Sequence, residues 1–127
     1  MIISQWERFG FEDKIRQILD IQPYEGEHHF GRPFLTAYQI AIQLKNMFHE
    51  VYSRFNEPLG GKGTGVHHSL SQYIARNLSQ RIKNKSITHI EGRFLYMGNI
   101  QTIKYSDFGE IFDSFQITYL SMFRRFG

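Results

Sequence analysis

Two helix-start patterns limit the possible folds more than any other feature of this sequence. In each, a threonine or serine precedes a glutamine by three residues, the capping-box spacing at which both side chains bond free backbone N–H groups at a helix N-terminus. "TAYQ" begins the first pattern at Thr36 and "SLSQ" begins the second at Ser69. Apolar residues then recur at helical spacing, so we predict amphipathic helices over 36–54 and 69–84.

Other segments indicate one more helix and two breaks. A shorter apolar repeat predicts a helix over 11–22. Proline, glycine and polar residues predict loops over 23–33 and 56–68. The second loop separates the two capped helices.

A β-hairpin is predicted after the second capped helix, at Gly98-Asn99. This dipeptide suits a two-residue turn because glycine and asparagine accept positive φ values. β-Branched and aromatic residues flank it on both sides. We therefore predict strands at 93–97 and 100–105, and a further short strand at 87–90.

The C-terminal segment, 106–127, has the charge order of a helix. Ser106 can cap it, acids follow in the first turn, and Arg124 and Arg125 lie near the end, which complements a helix dipole. Its aromatic residues exceed what one core needs, so we expect a packing helix that also offers a homodimer seam. A strand at "FQITYL" remains the open alternative.

Composition places the chain among single-domain globular proteins. Its 127 residues suit one domain over 1–127, and 41% hydrophobic with 21% charged residues allows a buried core. Cysteine is absent, which excludes disulfides and thiolate sites. With no apolar leader or membrane-length apolar stretch, we expect a cytoplasmic protein. The predicted fold class is α+β, mainly α with a small antiparallel β-hairpin.

Positive charge is concentrated in the middle of the chain. The net charge is only +3, yet residues 55–105 contain seven basic and two acidic side chains. The helix predicted over 69–84 contains no acid and has polar and basic residues opposite its apolar stripe. An anionic partner is therefore expected to contact this region.

The order of a helix, a capped helix, a basic-faced capped helix and a hairpin resembles the winged helix-turn-helix fold. The resemblance covers residues 11–105. It is carried by "LTAYQIAIQL" (Leu35–Leu44) as supporting helix, "SLSQYIARNLSQRIKNK" (Ser69–Lys85) as recognition helix and "FLYMGNIQTIKY" (Phe94–Tyr105) as wing. The glycine-rich loop over 56–68 replaces the short turn that normally joins the two helices.

This resemblance implies a non-catalytic protein that binds duplex DNA, either a dimeric regulator or a DNA-targeting module. In such a fold the recognition helix reads base edges in the major groove, and neighbouring cations hold phosphates. The side chains expected to face the bases are Gln72, Arg76, Ser79 and Gln80. Those expected to hold phosphates are Lys62, Lys83, Lys85 and Arg93. A helix face that is simply solvated is the alternative interpretation.

The loop "GGKGTG" allows several interpretations. Lys62 is followed by Gly63, so the P-loop pattern, which requires serine or threonine after the lysine, is not satisfied. Gly60 to Gly63 fits the GxxG of a KH domain, which clamps single strands, but four letters are a weak signal. Backbone N–H groups, Lys62 and the capped helix start would together favour a phosphate. A flexible connector explains the loop equally well.

No catalytic or metal site is predicted, and no cofactor is expected. The histidines, among them His28 and His67, lack the spacing of a zinc motif, and no carboxylate pair falls in an apolar setting. The alternatives to a DNA-binding protein are a protein-interaction subunit and a metal-dependent nuclease built from the histidines. A further alternative is a single-strand binder that stacks bases on Tyr73, Phe94 or Tyr96.

Overall fold

The computed structural model describes residues 3–22, 30–60, 69–101, 103–113 and 119–126. The helices of this part of the chain are α1 (Gln5–Arg8), α2 (Phe11–Ile18), α3 (Ala37–Met47), α4 (His49–Phe55) and α5 (Leu70–Lys83). Its strands are β1 (Leu35–Thr36), β2 (Ile90–Tyr96), β3 (Lys104–Asp107), β4 (Glu110–Asp113) and β5 (Tyr119–Arg125). The fold is thus mixed α+β, as the predicted class required, but with more strand than expected.

Three strands form an antiparallel sheet in the order β1, β5, β2, so the C-terminal strand lies between two strands from earlier in the chain. Leu35 of β1 and Gly92 of β2 both lie opposite Phe123 of β5, from its two sides. Phe123 and Leu35 are buried in the core. The strands β3 and β4 form a separate two-stranded hairpin.

The helix α3 is central to the core, because it contacts α2, α4, α5 and the strands β1, β3 and β5. Its buried side chains meet those of α2 and α5 in a single apolar cluster. The large, fully buried aliphatic residues of these three helices are Ile15, Ile40, Leu44, Leu70, Ile74 and Leu78. Burial of this side of α5 determines which side of that helix faces solvent.

The first helix-start pattern is confirmed. Thr36 Oγ1 accepts a hydrogen bond from the Gln39 amide at 3.2 Å, and Gln39 Oε1 accepts one from the Thr36 amide at 2.8 Å, which completes a capping box. The single long helix predicted here is wrong, because α3 ends at Met47 and α4 starts after Phe48. Phe48 leaves the helical conformation (φ −132°, ψ 57°), and its ring packs against the core with Lys14 Nζ 5.6 Å from its centroid.

The other two predicted helices form with somewhat different ends. The helix α2 ends at Ile18, several residues before the predicted position. The helix α5 follows Ser69, whose Oγ accepts a hydrogen bond from the Gln72 amide at 3.2 Å, and it ends at Lys83. The N-cap at Ser69 is therefore confirmed, but among the described residues the Gln72 side chain does not return the bond that would complete a capping box.

The predicted hairpin at Gly98-Asn99 is wrong. A turn does form there, since the Ile100 amide donates to the Met97 carbonyl at 3.0 Å and Asn99 has a φ of 70°. However, β2 precedes this turn and pairs with β5, which is distant in sequence, and not with the residues that follow the turn. The turn lies where the sequence predicts one, but only Asn99 and not Gly98 takes a positive φ, and the strand's pairing partner is set by tertiary structure.

The observed hairpin turns at Phe108-Gly109, where both residues have positive φ (50° and 92°). The chain reverses at this point, so the helix predicted over 106–127 is wrong, and β4 and β5 occupy much of that segment. Pairing with β1 and β2 stabilises β5 as a strand in spite of the helix-like charge order. Tyr119 and Leu120 of the alternative strand belong to β5, and the rest of that alternative lies outside the described residues.

A buried carboxylate attaches the β3–β4 hairpin to α3. The two oxygens of Asp107 accept hydrogen bonds from Asn46 Nδ2 at 2.8 Å and from Lys45 Nζ at 3.0 Å. The bonds from Asn46 and Lys45 hold the pKa of Asp107 below its usual value, and the bond to Asp107 raises the pKa of Lys45. Nearby, the Tyr105 ring stacks on Tyr38 with centroids 5.1 Å apart. Together these contacts fix the hairpin on α3.

Replacing Asp107 with asparagine is expected to lower the free energy of unfolding by about 1–3 kcal/mol, since hydrogen bonds to a charged group are lost at a buried site. The folded-state pKa of Asp107 lies below its ordinary value of 3.8, so its contribution to stability is present above that pH and is lost as the pH falls further. Urea unfolding should therefore show a smaller difference between the two proteins at about pH 3 than at about pH 7.

The control for this substitution is Asp13→Asn, because the ion pair between Asp13 and Arg16 is exposed. It should change stability by less than about 1 kcal/mol. A difference between wild type and Asp107→Asn that stays the same at both pH values would contradict the assigned ion pair.

Candidate functional site

The solvent side of α5 carries most of the predicted contact residues. Leu70, Ile74 and Leu78 are fully buried, so the opposite side of the helix faces outward. The predicted residues on that side are half-buried Gln72 and the exposed Arg76, Ser79, Gln80 and Lys83. Spacings of four, seven, eight and eleven residues return to one side of a helix, so these side chains form a single face. We call these five residues the α5 face.

A closed turn places Lys85 directly after the α5 face. The amide of Asn84 donates to the Gln80 carbonyl at 2.9 Å, and that of Lys85 donates to the Ile82 carbonyl at 3.2 Å. Asn84 Oδ1 then accepts a hydrogen bond from the Ser86 amide at 2.9 Å. Lys85 itself has a φ of 66° and is exposed. The positive charge of the α5 face therefore continues past the end of the helix.

A groove between α5 and the strands β2 and β5 brings both predicted classes of residue together. Its volume is about 240 Å³. Ser79 and Lys83 line it from α5, and Arg93 and Phe94 line it from β2. Ser121 of β5 lies opposite Phe94 in the β2–β5 ladder and lines the groove as well. A residue expected to face bases, Ser79, thus shares a site with two expected to hold phosphates.

The floor of this groove is apolar and closely packed. It is formed by Ile82, Gly92 and Phe123. A Cβ atom on Gly92 would lie 3.1 Å from Phe123 Cε1 and 3.7 Å from Ile82 Cδ1. Glycine at this position therefore allows the Phe123 ring and Ile82 of α5 to approach the strand, and any side chain there would press on the Phe123 ring.

Arg93 remains directed to solvent although an acid lies beside it. Its Nη1 donates to the Gly92 carbonyl at 2.8 Å, and its Nη2 lies 3.7 Å from Glu91 Oε2. Glu91 also accepts a hydrogen bond from Arg124 Nε, so one carboxylate faces two guanidinium groups. Because the Arg93 side chain is 61% exposed, an anion can still reach it.

The first backbone amides of α5 are already hydrogen-bonded, so they do not form the phosphate site that the sequence suggests at this helix start. The Leu70 amide donates to the Pro58 carbonyl at 2.8 Å, and the Ser71 amide donates to the Leu59 carbonyl at 3.0 Å. The next amide is bonded to the N-cap serine. An anion at a helix start needs such donors to be free, so these three amides do not bind one. Lys62 lies outside the described residues.

Of the three aromatic residues considered for base stacking, the two on β2 are exposed. Tyr73 instead belongs to the core, with its ring centroid 4.8 Å from that of Phe55 and 5.4 Å from that of Phe11. Burial raises the pKa of Tyr73. Phe94 is 68% exposed and Tyr96 is 63% exposed. The half-buried Tyr73 ring is therefore already packed against other rings, whereas the two β2 residues have exposed area on which a base could stack.

Two features of this region could not be read from sequence. Arg81 is a basic residue of α5, yet its guanidinium lies over the Trp6 ring at 5.1 Å, so it packs against α1. Ser121 reaches the groove only because β5 pairs with β2. Ser121 could have been found only by predicting a strand at β5. The charge order of that segment predicts a helix instead.

No three histidine, aspartate or glutamate side chains converge as metal ligands within the five described ranges. His28 and His67 lie outside those ranges. None of the helices in the described part of the chain combines the length and the apolar character that crossing a bilayer requires.

Comparison with protein-family models, with curated proteins and with solved structures finds no match to this chain. The function proposed below therefore depends on the geometry and charge of the α5 face and of the groove.

Proposed function

We propose that the chain is a winged helix-turn-helix domain that binds duplex DNA without catalysis. The element order supports the fold: α2, α3 and α5 are followed by antiparallel strands, and β1 and β2 flank β5 in one sheet. In this proposal α5 is the recognition helix. The segment between β2 and β5, which contains the β3–β4 hairpin, takes the place of the wing.

The observation that carries the proposal is the α5 face itself. It presents glutamine, serine, arginine and lysine side chains on one exposed side of a helix that contains no acid. Such groups can donate and accept hydrogen bonds at base edges in the major groove. Lys83 and Lys85 lie at the C-terminal end of this helix, and Arg93 lies on the neighbouring strand β2. These three cations can contact the phosphates that border the major groove of DNA.

The connection between α3 and α5 is longer than in the usual helix-turn-helix arrangement. The helix α4 and a loop separate α3 from α5 in sequence, where a short turn is usual. The two helices nevertheless pack against each other. Since docking depends on the packed pair and not on the length of the connection, the α5 face can still enter the major groove.

In this proposal the protein is a cytoplasmic regulator or the DNA-targeting module of a larger assembly, and it needs no cofactor. A homodimer through residues 106–127 is part of the proposal. Its seam would come from strands and the β3–β4 hairpin, since the helix that first suggested a dimer does not form.

Fluorescence anisotropy of a labelled random duplex across a salt series tests the proposal. Binding should weaken steeply with salt because neutralised phosphates release counterions. Four cations, Arg76, Lys83, Lys85 and Arg93, predict a slope of log K against log salt of about −3 to −4. Absence of duplex binding at low salt would overturn the proposed function.

Arg76→Ala is expected to weaken binding to a preferred duplex, selected from a random pool, by about 5- to 100-fold. It should weaken binding to random duplex by less than about 10-fold, because one phosphate contact at most is lost there. The matched control is Lys85→Ala, which should weaken both duplexes equally. Equal losses for Arg76→Ala on the two duplexes would make Arg76 a phosphate contact.

A second candidate function, protein binding, is favoured by the tip of the β3–β4 hairpin. Phe108 is 93% exposed and has a φ of 50°, a conformation that bulky residues rarely adopt. Backbone strain clusters at functional sites, and single aromatic anchors contribute much of the energy of many protein interfaces. Binding to a protein through this apolar contact would depend little on salt, which distinguishes it from DNA binding.

Phe108→Asn is expected to raise the free energy of unfolding by about 0.5–1 kcal/mol, because asparagine is the preferred residue before glycine in a turn with two positive φ values. Thermal unfolding measures the change, with Phe108→Ala as the control that removes the ring without favouring the turn. A destabilised Phe108→Asn variant would show that the ring contributes to the fold of the isolated chain.

A further inference from the structure

The groove between α5 and the β2–β5 ladder has the size of a site for one planar ring system. Its volume of about 240 Å³ lies below the roughly 300–1,000 Å³ of sites that enclose whole drug-sized ligands. Its floor of Ile82, Gly92 and Phe123 is apolar. The absence of a side chain on Gly92 lets the Phe123 ring pack against the strand and form a flat floor, since a Cβ there would lie 3.1 Å from that ring. An apolar, flat group fits this space.

An exposed aromatic ring stands beside this floor. Phe94 follows Gly92 on the same face of β2, because alternate residues of a strand share a face. It lines the groove and is 68% exposed. Ser121 lies directly opposite it on β5 and supplies a hydroxyl group at the same level of the ladder. A planar base inserted here can stack on one side and form a hydrogen bond at its edge.

The rim of the groove is cationic. Lys83 approaches from α5. Arg93 alternates with Gly92 and Phe94 along β2, so its side chain starts from the other face of the strand and reaches the edge of the groove where its Nη1 donates to the Gly92 carbonyl at 2.8 Å. Both cations are exposed. None of the described residues that line the groove is acidic. Ser79 adds a second hydroxyl from the helix. A ligand that combines a flat apolar ring with an attached anion is therefore complementary to the whole site.

We propose that this groove binds one unpaired nucleotide, with its base stacked on Phe94 and its phosphate held by Lys83 and Arg93. The inference rests on the proposed DNA-binding function and deepens it, because it names the form of DNA that the protein prefers. A base in an intact duplex is stacked and paired, and extruding it costs a few kcal/mol. A duplex that already carries an extrahelical nucleotide avoids this cost and fills both the α5 face and the groove.

The test compares three labelled ligands of the same sequence: a fully paired duplex, the duplex with one bulged nucleotide, and the bulged duplex with an abasic site at that nucleotide. The abasic ligand keeps the phosphate and removes the base. We expect the bulged duplex to bind about 5- to 100-fold more tightly than the paired one, the range for stacking one base on an aromatic side chain. The abasic ligand should bind like the paired duplex.

Variants of Phe94 show whether a bulged duplex binds more tightly because its base stacks on this ring or because a bulge makes the DNA easier to bend. Phe94→Ser should abolish the preference for the bulged over the paired duplex, whereas Phe94→Trp should retain the preference. Because Phe94 is largely exposed, neither change is expected to unfold the protein, and circular dichroism checks this. Arg76→Ala should weaken all three ligands and preserve their order.

The two proposals fail in different ways. Equal affinity for bulged and paired duplex would overturn the nucleotide site and leave duplex binding intact. A bulge preference that survives Phe94→Ser or the abasic substitution would also overturn it, because the base would then not be bound by this ring. Failure to bind any of the three ligands would overturn both the proposed function and this inference.

Discussion

The double variant Lys83→Glu, Arg93→Glu is expected to bind random duplex about 100-fold more weakly than the wild type at about 0.1 M salt. Each phosphate contact contributes about 0.9 to the slope of log K against log salt, which is nearly tenfold in affinity at that salt concentration. Two lost contacts and the repulsion of two new carboxylates add to this loss. Lys83 and Arg93 line one groove, so both changes act on the same surface.

The salt dependence gives this prediction a second readout. The slope should decrease in magnitude by about 2, one unit for each cation removed. The neutral variant Lys83→Gln, Arg93→Gln should lie between the wild type and the double glutamate variant. A slope that is unchanged in both variants would show that these cations do not contact phosphate.

A matched control changes the same net charge elsewhere on the molecule. Arg16 on α2 and Arg54 on α4 are basic residues outside the groove, with side chains 43% and 58% exposed. Arg16→Glu with Arg54→Glu should reduce duplex affinity much less than the groove variant, because the long-range field is screened within about 10 Å at that salt. Equal losses in the two double variants would make the effect a property of net charge alone.

Phe11→Ala is expected to lower the free energy of unfolding by about 3–5 kcal/mol, the range for removing a buried aromatic ring. Phe11 has no solvent exposure. Its ring centroid lies 5.3 Å from that of Trp6, 5.4 Å from that of Tyr73 and 5.5 Å from that of Phe55. These residues belong to α1, α5 and α4, so the substitution leaves a cavity where four helices meet.

Thermal and urea unfolding measure this loss. For a chain of this length the change corresponds to a decrease in Tm of roughly 10–20 °C. The control is Phe94→Ala, which removes a largely exposed ring and should change stability by less than about 1 kcal/mol. A loss below about 1 kcal/mol for Phe11→Ala would contradict the packing of the aromatic core.

The helix starts could be predicted because their signals are local. The Thr36 capping box and the Ser69 cap involve hydrogen bonds between residues three positions apart, so sequence spacing is enough to identify them. The exposed side of α5 could be predicted for the same reason, since the buried stripe at Leu70, Ile74 and Leu78 repeats at helical spacing.

The strands were harder to predict because their partners are distant in sequence. The Gly98-Asn99 turn forms, but β2 before it pairs with β5, and the hairpin lies instead at Phe108-Gly109. In the C-terminal segment, an N-terminal acidic and C-terminal basic order favours a helix locally. Ladder hydrogen bonds to β1 and β2 on both sides outweigh this preference in β5, and no local pattern encodes them.

The sequence alone determined where α2, α3 and α5 begin, the N-caps at Thr36 and Ser69, and the basic polar face of α5, because each depends on neighbours within one or two helical turns. Only the tertiary structure decided the place of β5 between β1 and β2, and with it the groove that joins Lys83 to Arg93 and Ser121. Residues from three elements meet there through packing and strand register. Both are set by the free energy of the whole folded chain and not by the preference of any one segment.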